Sequence, residues 1–489
     1  MKRILTSREM ANCDKYTIEE MGVPSLVLME RAALAVADLI KSHFDKKSLI
    51  CALCGPGNNG GDGVAIARIL HLQGYNVFIH MLGDESKYSH QLKEEIRIAN
   101  KYNVPFNIDI NSIAAADLVI DAIFGIGLSR DVSGIYFDAI QLINENSCNV
   151  VSVDIPSGYD TDTGKTLGIG VKADYTVTFA YEKSGLLLGD CYLNRGELTI
   201  ADVGIYIPNE NNYTPCYELD DFDIHELVPA LKRSDNKGTR GKVLVIAGSE
   251  YIYGACYLSA KAALTCGSGL VKIYTHKNNI GTIQSSLPEA MYLGYDAYNE
   301  SELEGLLDWA DAIVIGPGLS TSELAREITS KTLKYAKSPI VVDADAINII
   351  AENTEILKTS TAQIVLTPHL KEMSRLCGEN VQKIQSDMKK YATAFCGVFG
   401  CSIILKSFTS YIVTPNTEYI STIGNEGMAT AGCGDILSGI LGSLLGCGMS
   451  MDCAPAVASY IHGSAGVKAG KSKGKRQVIA SDIISAISF

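Results

Sequence analysis

Residues 427–445 read GMATAGCGDILSGILGSLL, in which a run of small residues presents one acid, Asp435, and then opens an apolar helical period through Ile436, Leu437, Ile440, Leu441, Leu444 and Leu445. Gly432 and Gly434 permit a tight turn that brings bare N–H groups toward a ligand. A helix N-terminus carries unpaired N–H groups and a partial positive charge, so a phosphate fits there beside a carboxylate able to take a proton. That pairing suits phosphoryl transfer to a hydroxyl. Asp435 would serve equally as a plain N-cap, and the stretch alone does not separate the two.

A second set of polar groups lies in the first half. The run CGPGNNGGDGVAIAR sits between a strand-like and a helix-like segment, and its glycines allow close backbone approach at a strand's carboxyl end. It is not the dinucleotide pattern G-x-G-x-x-G, because Asn58 and Asn59 occupy the expected turn. Amide side chains there can bind polar groups or, through oxygen, a cation. Two acids precede glycine turns, Asp121 before AIFGIGLSRD and Asp154 in SVDIPSG. Strand ends line the ligand crevice of an open α/β sheet, so Asn58, Asn59, Asp121, Asp154 and Ser157 are expected to converge. Singly, either acid could be a turn or cap residue. His369 in LTPH ends a strand and could cap or face a crevice, while Lys406 follows the apolar IIL to a sheet terminus.

The elements that must position these groups alternate. Residues 6–40 read as two helices broken at Gly22-Val23-Pro24, with Ser25 able to cap the second. Strands are expected at 49–53, 76–82, 118–122, 150–153, 175–179 and 198–203, with a helix over 63–74. Residues 207–223 are polar, aperiodic and Pro-containing, and mark a domain boundary. Strands resume at 243–246, 271–274, 312–315, 340–342, 364–366 and 403–405, and 411–413 with 418–421 form a hairpin around Pro415-Asn416. The alternation predicts two α/β domains with largely parallel sheets, and the absence of a shared period excludes a duplication.

At 489 residues the chain exceeds one ordinary core, and 47% apolar with 20% charged residues reads as well-packed α/β protein. A net charge of -13 disfavours nucleic acid and anionic membrane as partners, so phosphate ligands must be held locally. The fourteen cysteines show no framework spacing, and Cys51 and Cys54 fall three apart in a strand, facing opposite sides. Reduced thiols in a cytoplasmic protein are expected. The start MKRILTSREM lacks an apolar signal core, and the most hydrophobic run, interrupted by glycines, is too short to cross a bilayer. Apolar stripes on the two N-terminal helices suggest self-association into a homo-oligomer.

The runs GPGNNGGDG, DAIFGIGLSRD and VDIPSGYDTDTG resemble the epimerase domain of the NAD(P)H-hydrate repair enzymes. GSEYIYGACYLSAKAALTCGSGLV, GPGL, VDADAIN, LTPHLKEMSRL and GMATAGCGDILSG resemble the ribokinase-like dehydratase domain fused to it. The resemblance runs in order from about Thr6 to the C-terminus. It implies a Rossmann-like three-layer αβα epimerase domain over 1–214 and a ribokinase-like αβα dehydratase domain over 215–489. Such enzymes repair hydrated NADH and NADPH: one domain interconverts the R and S forms, and the other dehydrates the S form with ADP, releasing AMP and phosphate.

Carried over by position, the hydrate would lie in the first domain on Asn58, Asn59, Gly60, Gly61 and Asp62 and on Gly125, Ile126, Gly127, Leu128, Ser129, Arg130 and Asp131, with Asp154 catalytic. A potassium ion is implied on Asn59, Asp121 and Ser157. In the second domain Asp435 would be the base, ADP would lie on Lys406, Ser407, Phe408, Thr409, Ser410 and Gly434, and the hydrate on Ala255, Gly318 and His369. Magnesium would come with ADP. The chain departs from the family in four places: Ala431 and Cys433 replace the usual glycine and Thr/Ser, Ser407-Phe408 replace Gly-Ala, Ser410 replaces threonine, and Ile126 stands where threonine is common. A small-molecule kinase of the hydroxymethyl pyrimidine or thiazole type is the nearest alternative, and a non-enzymatic nucleotide sensor the next.

Overall fold

Strands of aliphatic and β-branched residues buried on both faces demand a layer of helices on each side. The computed structural model describes residues 1–146, 148–208 and 213–489; residues 209–212, inside the segment expected to separate the domains, lie outside the described residues. Contacts divide the chain into one unit of Lys2–Tyr213 and another comprising Met1 and Thr214–Phe489.

The N-terminal unit contains β1 (Lys2–Leu5), α1 (Ser7–Glu19), α2 (Ser25–His43), β2 (Leu49–Cys54), α3 (Asn58–Leu72), β3 (Asn76–Met81), β4 (Leu118–Ala122), β5 (Asn149–Val153), β6 (Tyr175–Phe179), β7 (Glu182–Lys183) and β8 (Glu197–Ala201). Six strands lie in the order β3-β2-β4-β5-β6-β8, all parallel. One face packs on Ala33, Val36 and Ile40 of α2 and Val64 of α3, and the other on Ala139, Ile140 and Ile143 of the helix Ile135–Glu145. This is a three-layer αβα unit. Cys51 joins the second core and Cys54 the first, as strand alternation requires.

Three local features differ from expectation. Pro24, not Ser25, occupies the N-cap of α2, which has no side-chain cap; Ser25 begins the helix and its Oγ accepts from Gln91 Nε2. Helix α3 starts at Asn58 with Gly57 as N-cap, so Asn58 and Asn59 form its first turn. Its glycines weaken the helical signal, but tertiary packing requires them: a Cβ at Gly60 would lie 1.9 Å from the Gly55 carbonyl oxygen. β1 and β7 pair in parallel, with Leu5 opposite Lys183; each is too short for a periodic signal.

The C-terminal unit contains β9 (Cys216–Glu218), β10 (Lys242–Ile246), β11 (Leu270–His276), β12 (Met291–Tyr295), β13 (Ala312–Ile315), β14 (Ile340–Val342), β15 (Ile364–Leu366), β16 (Ser402–Leu405), β17 (Ser410–Val413) and β18 (Glu418–Ser421). Their order is β12-β11-β10-β13-β14-β15-β16-β17-β18-β9. Pairing is parallel except for β16 with β17 and β17 with β18. The helix Cys433–Gly446 buries Ile436, Leu437, Ile440, Leu441 and Leu444 against Val243, Val245 and Val314. Its glycines permit close approach: a Cβ at Gly439 would lie 2.1 Å from the Ser259 carbonyl oxygen on the helix Gly254–Thr265. Among the described residues no helix is long and apolar enough to cross a membrane.

Candidate active sites

At the carboxyl end of the N-terminal sheet lies a cavity of about 680 Å³. It is lined by Asn58, Asn59 and Asp62 of α3, by the loop of Gly125, Ile126, Gly127, Leu128, Ser129 and Arg130, and by Asp154 after β5. Gly60 and Gly61 do not line it; they are buried and let α3 seat closely. Asp131 is exposed outside it. Asp14 of α1 and Lys183 of β7 also line the cavity, and neither carried a sequence signal.

Asp154 has a left-handed backbone, φ +70°, unusual for a non-glycine residue and costly by about 1–3 kcal/mol. Its carboxylate does not cap the following turn. Instead Lys183 Nζ donates to Oδ1 at 2.6 Å and Thr178 Oγ1 donates at 3.2 Å. Lys183 is almost wholly buried, and its ammonium also donates to Thr178 Oγ1 at 2.8 Å and the Phe179 carbonyl at 3.0 Å. Backbone strain persists where surrounding bonds over-determine it, and an active site is the usual place.

Asp121 ends β4 fully buried. Its oxygens accept from Ser152 Oγ at 2.8 Å, Ser157 N at 2.8 Å and Ser157 Oγ at 2.6 Å. Burial pushes its carboxyl up, while the two serines act the other way. Ser157 Oγ accepts from Phe124 N at 2.9 Å. A Cβ at Gly125 would lie 3.5 Å from Asn59 Oδ1, so Asn59 packs on the same loop. Asn59 Nδ2 is buried without a partner among the described residues.

In the C-terminal unit Asp435 is the third residue of its helix, and the N-cap is Gly432, left-handed at φ +88°. The N-cap reading of Asp435 is therefore wrong. Its main-chain oxygen accepts from Ser259 Oγ at 2.8 Å. Burial and then the Asp343 charge push its carboxyl up to about 6, against the pull of Lys406. Lys406, following β16, donates Nζ to Asp343 Oδ1 at 3.1 Å. Ser438 Oγ donates to Asp343 Oδ2 at 2.6 Å and Thr367 Oγ1 to Oδ1 at 2.7 Å. Burial opposes ionisation of Asp343, yet Lys406 and these hydroxyls outweigh it and hold its carboxyl low. A Cβ at Gly434 would lie 3.3 Å from Lys406 Nζ and 3.7 Å from Asp343 Oδ2, so helix start, lysine and buried acid form one cluster. Asp343 belongs to the VDADAIN run but carried no assignment in sequence.

Gly318 and Ala255 are neighbours, since a Cβ at Gly318 would lie 3.0 Å from Ala255 Cβ. His369 does cap: its Nδ1 accepts from Lys371 N and Glu372 N, both at 3.1 Å, while Glu372 Oε2 accepts from His369 N at 2.8 Å. Its Nε2 lies 3.4 Å from Glu372 Oε1, and the side chain is half exposed. His369 forms a parallel bridge with Lys406, which places it beside the cluster. In the loop between β16 and β17, Ser407 is partly buried and Phe408 exposed. Thr409 Oγ1 is buried without a partner among the described residues, and Ser410 opens β17.

Two sequence families match. One, described as NAD(P)H-hydrate dehydratase, covers residues 243–488, and one described as YjeF-related protein N-terminus covers 25–185. The bifunctional NAD(P)H-hydrate repair enzyme Nnr of Moorella thermoacetica is 34% identical over 99% of this chain and 96% of its own. The chain belongs to the bifunctional NAD(P)H-hydrate repair enzymes. The member from Escherichia coli is 32% identical over 97% of this chain and 91% of its own. Among solved structures, a ribokinase-like superfamily protein from Enterococcus faecalis matches with TM-score 0.50 and 27% identity, covering 57% of this chain and 96% of that one.

Within this repair enzyme the unusual Cys433 is buried, and its Sγ lies 3.2 Å from His462 Nε2. Burial pushes the thiol up to about 11, and burial with the Lys406 charge pushes His462 down to about 4. The pair is therefore neutral, and the thiol is a weak donor.

Proposed function

We propose that the N-terminal unit interconverts the R and S hydrates of NADH and NADPH at Asp154, and that the C-terminal unit dehydrates the S hydrate at Asp435 using ADP. The observation that carries this is a pair of acids, Asp154 after β5 held by the buried Lys183 and Asp435 in the first turn of its helix near the Lys406–Asp343 ion pair, in a chain matched along its length to bifunctional repair enzymes. Hydroxide leaves a carbon poorly. Phosphorylation makes it a good leaving group, and the ring nitrogen's lone pair can then expel it. Asp435 accepts the hydroxyl proton as the terminal phosphoryl group of ADP arrives, the backbone N–H groups around Gly434 stabilise its oxygens, and Lys406 lies within reach of the same charge. Lys406 to Ser410 would hold the nucleotide, whose oxygens Thr409 Oγ1 could partner, and Ala255, Gly318 and His369 the hydrate. Magnesium would be held by nucleotide phosphates and water, since no group of three or more metal-ligating side chains stands ready among the described residues.

In the N-terminal unit Asn58, Asn59, Asp62 and the loop 125–130 would bind the hydrate's phosphates and ring, with Asp154 moving the hydroxyl proton. A potassium ion fits Asn59, Asp121 and Ser157: the buried Asp121 charge has hydroxyl and N–H partners but no cationic one among the described residues, and oxygen ligands suit a large monovalent ion. Bound there, it would neutralise that charge. At potassium about one hundred times its dissociation constant, linkage adds about 2.7 kcal/mol of stability. Exchange for tetramethylammonium should therefore lower the unfolding temperature of the wild type and leave that of Asp121→Asn unmoved; equal shifts would remove the ion from this site.

The deciding assay incubates the protein with mixed R and S hydrate plus ADP and follows the near-ultraviolet absorbance of the reduced nicotinamide. Both epimers should be consumed. Loss of the S form alone would eliminate the epimerase, and a stable phosphorylated product from ATP and a small alcohol would favour a kinase.

A further inference from the structure

We propose that Asp14 is a second proton-transfer group of the epimerising cavity, serving the ring face opposite to the one Asp154 serves. This rests on the epimerase reading above. A stereocentre inverts only if its hydroxyl leaves from one face and water returns to the other, so proton traffic is needed on both. Asp154 is held in a left-handed turn by Lys183 and Thr178.

Asp14 comes from a different wall. The capping box of Thr6 and Glu9 starts α1 directly after β1, whose partner β7 carries Lys183. Ser7 is tied to Asp162 through its N at 2.6 Å and its Oγ at 3.0 Å. That framework holds α1 so that Asp14 lines the cavity, together with Met10 and Ile18 of the same helix. Asp14 makes no hydrogen bond or ion pair with a described residue, although it is half buried. A desolvated carboxyl with nothing to compensate it is costly, and such groups concentrate where chemistry needs them. Burial, and then the Asp154 charge, push its carboxyl up. Asp62 of α3 lines the same cavity, and burial pushes its carboxyl well up. The charged groups facing the cavity are Asp14, Asp62, Arg130, Asp154 and Lys183.

The cycle balances. In one direction protonated Asp14 gives its proton to the ring hydroxyl, the carbon–oxygen bond breaks, and the neighbouring nitrogen's lone pair forms a carbon–nitrogen double bond as water leaves. Water then adds on the other face, the double bond returns its electrons to nitrogen, and the Asp154 carboxylate takes the proton. The opposite epimer runs the two acids in reverse, and exchange with solvent resets them.

Asp14→Asn should lower kcat for epimerisation at least about 100-fold, with KM and NADP+ binding within about threefold and dehydration of pre-formed S hydrate unaltered. Asp14→Ala should regain activity with added formate. If Asp14→Asn epimerises within about threefold of wild type while Asp154→Asn collapses, Asp14 has no such role and the epimerase reading stands. Loss of activity together with NADP+ binding, or no response of Asp14→Ala to formate, also overturns it. A wild type no faster than the spontaneous reaction overturns both.

Discussion

Asp435→Asn is expected to lower dehydration of the S hydrate by two to four orders of magnitude, roughly the range general-base catalysis supplies, while epimerisation continues at the wild-type rate. The substitution is nearly isosteric, and Asp435 is the third helical residue with Gly432 as the cap, so the helix does not lose a capping bond. What is lost is the proposed proton acceptor. Because burial and the Asp343 charge raise this carboxyl to about 6, the sign of its pH dependence is fixed. The base acts when deprotonated, so activity is full above that value and falls as pH drops through it. One unit below, about a tenth of the sites remain competent. A kcat/KM profile for dehydration should rise about tenfold per unit below that point and level off above. Lys406 lowers and Asp343 raises this carboxyl, so Asp343→Asn should move the profile through both routes. A profile flat across this range, or an Asp435→Asn protein within threefold of wild type, would remove the base from the mechanism.

How far these sites could be read from residues alone depended on how far their partners lay along the chain. Asp121, Asp154 and Asp435 stand at strand ends or helix starts, and each announces itself through its own neighbours, an apolar run beside a glycine turn. The strands 118–122, 175–179, 312–315, 340–342 and 364–366 agree residue for residue with their apolar runs. Lys183, Thr178 and Asp14 carry no such local mark. Lys183 sits in a two-residue strand whose pairing with β1 is non-local, and Asp14 occupies a helix whose polar face reads as solvated until the cavity is seen. Asp343 was visible in VDADAIN as a motif but not as the acid that Lys406, Ser438 and Thr367 converge upon, since those partners come from three other segments. The start of α3 was missed for the opposite reason: glycines at 60, 61 and 63 argue against a helix locally, and only the close approach of Gly55, Met29, Ala122 and Cys54 makes them necessary.

The largest effect on the N-terminal unit should come from Lys183→Met. Lys183 is 1% exposed and its partner Asp154 14%, so removing the ammonium leaves a carboxylate largely desolvated, unpaired and held in a left-handed turn. Breaking a buried pair from one side costs about 3–5 kcal/mol, most of it the uncompensated charge. Epimerisation should fall by roughly two orders of magnitude or more, because the acid then loses the donor that orients it. Asp154→Asn alone leaves the buried ammonium with Thr178 Oγ1 and the Phe179 carbonyl, a partial compensation, and should cost less stability. The double variant Lys183→Met, Asp154→Asn separates the two consequences. With neither charge present the desolvation penalty vanishes, so denaturant unfolding should recover most of the loss seen in Lys183→Met, giving a coupling energy of about 0.5–3 kcal/mol. Epimerisation should stay at the floor, since the proposed proton carrier is gone. Stabilities that simply add would mean that the lysine supports the fold independently of Asp154, and its place in the cavity would then need another explanation.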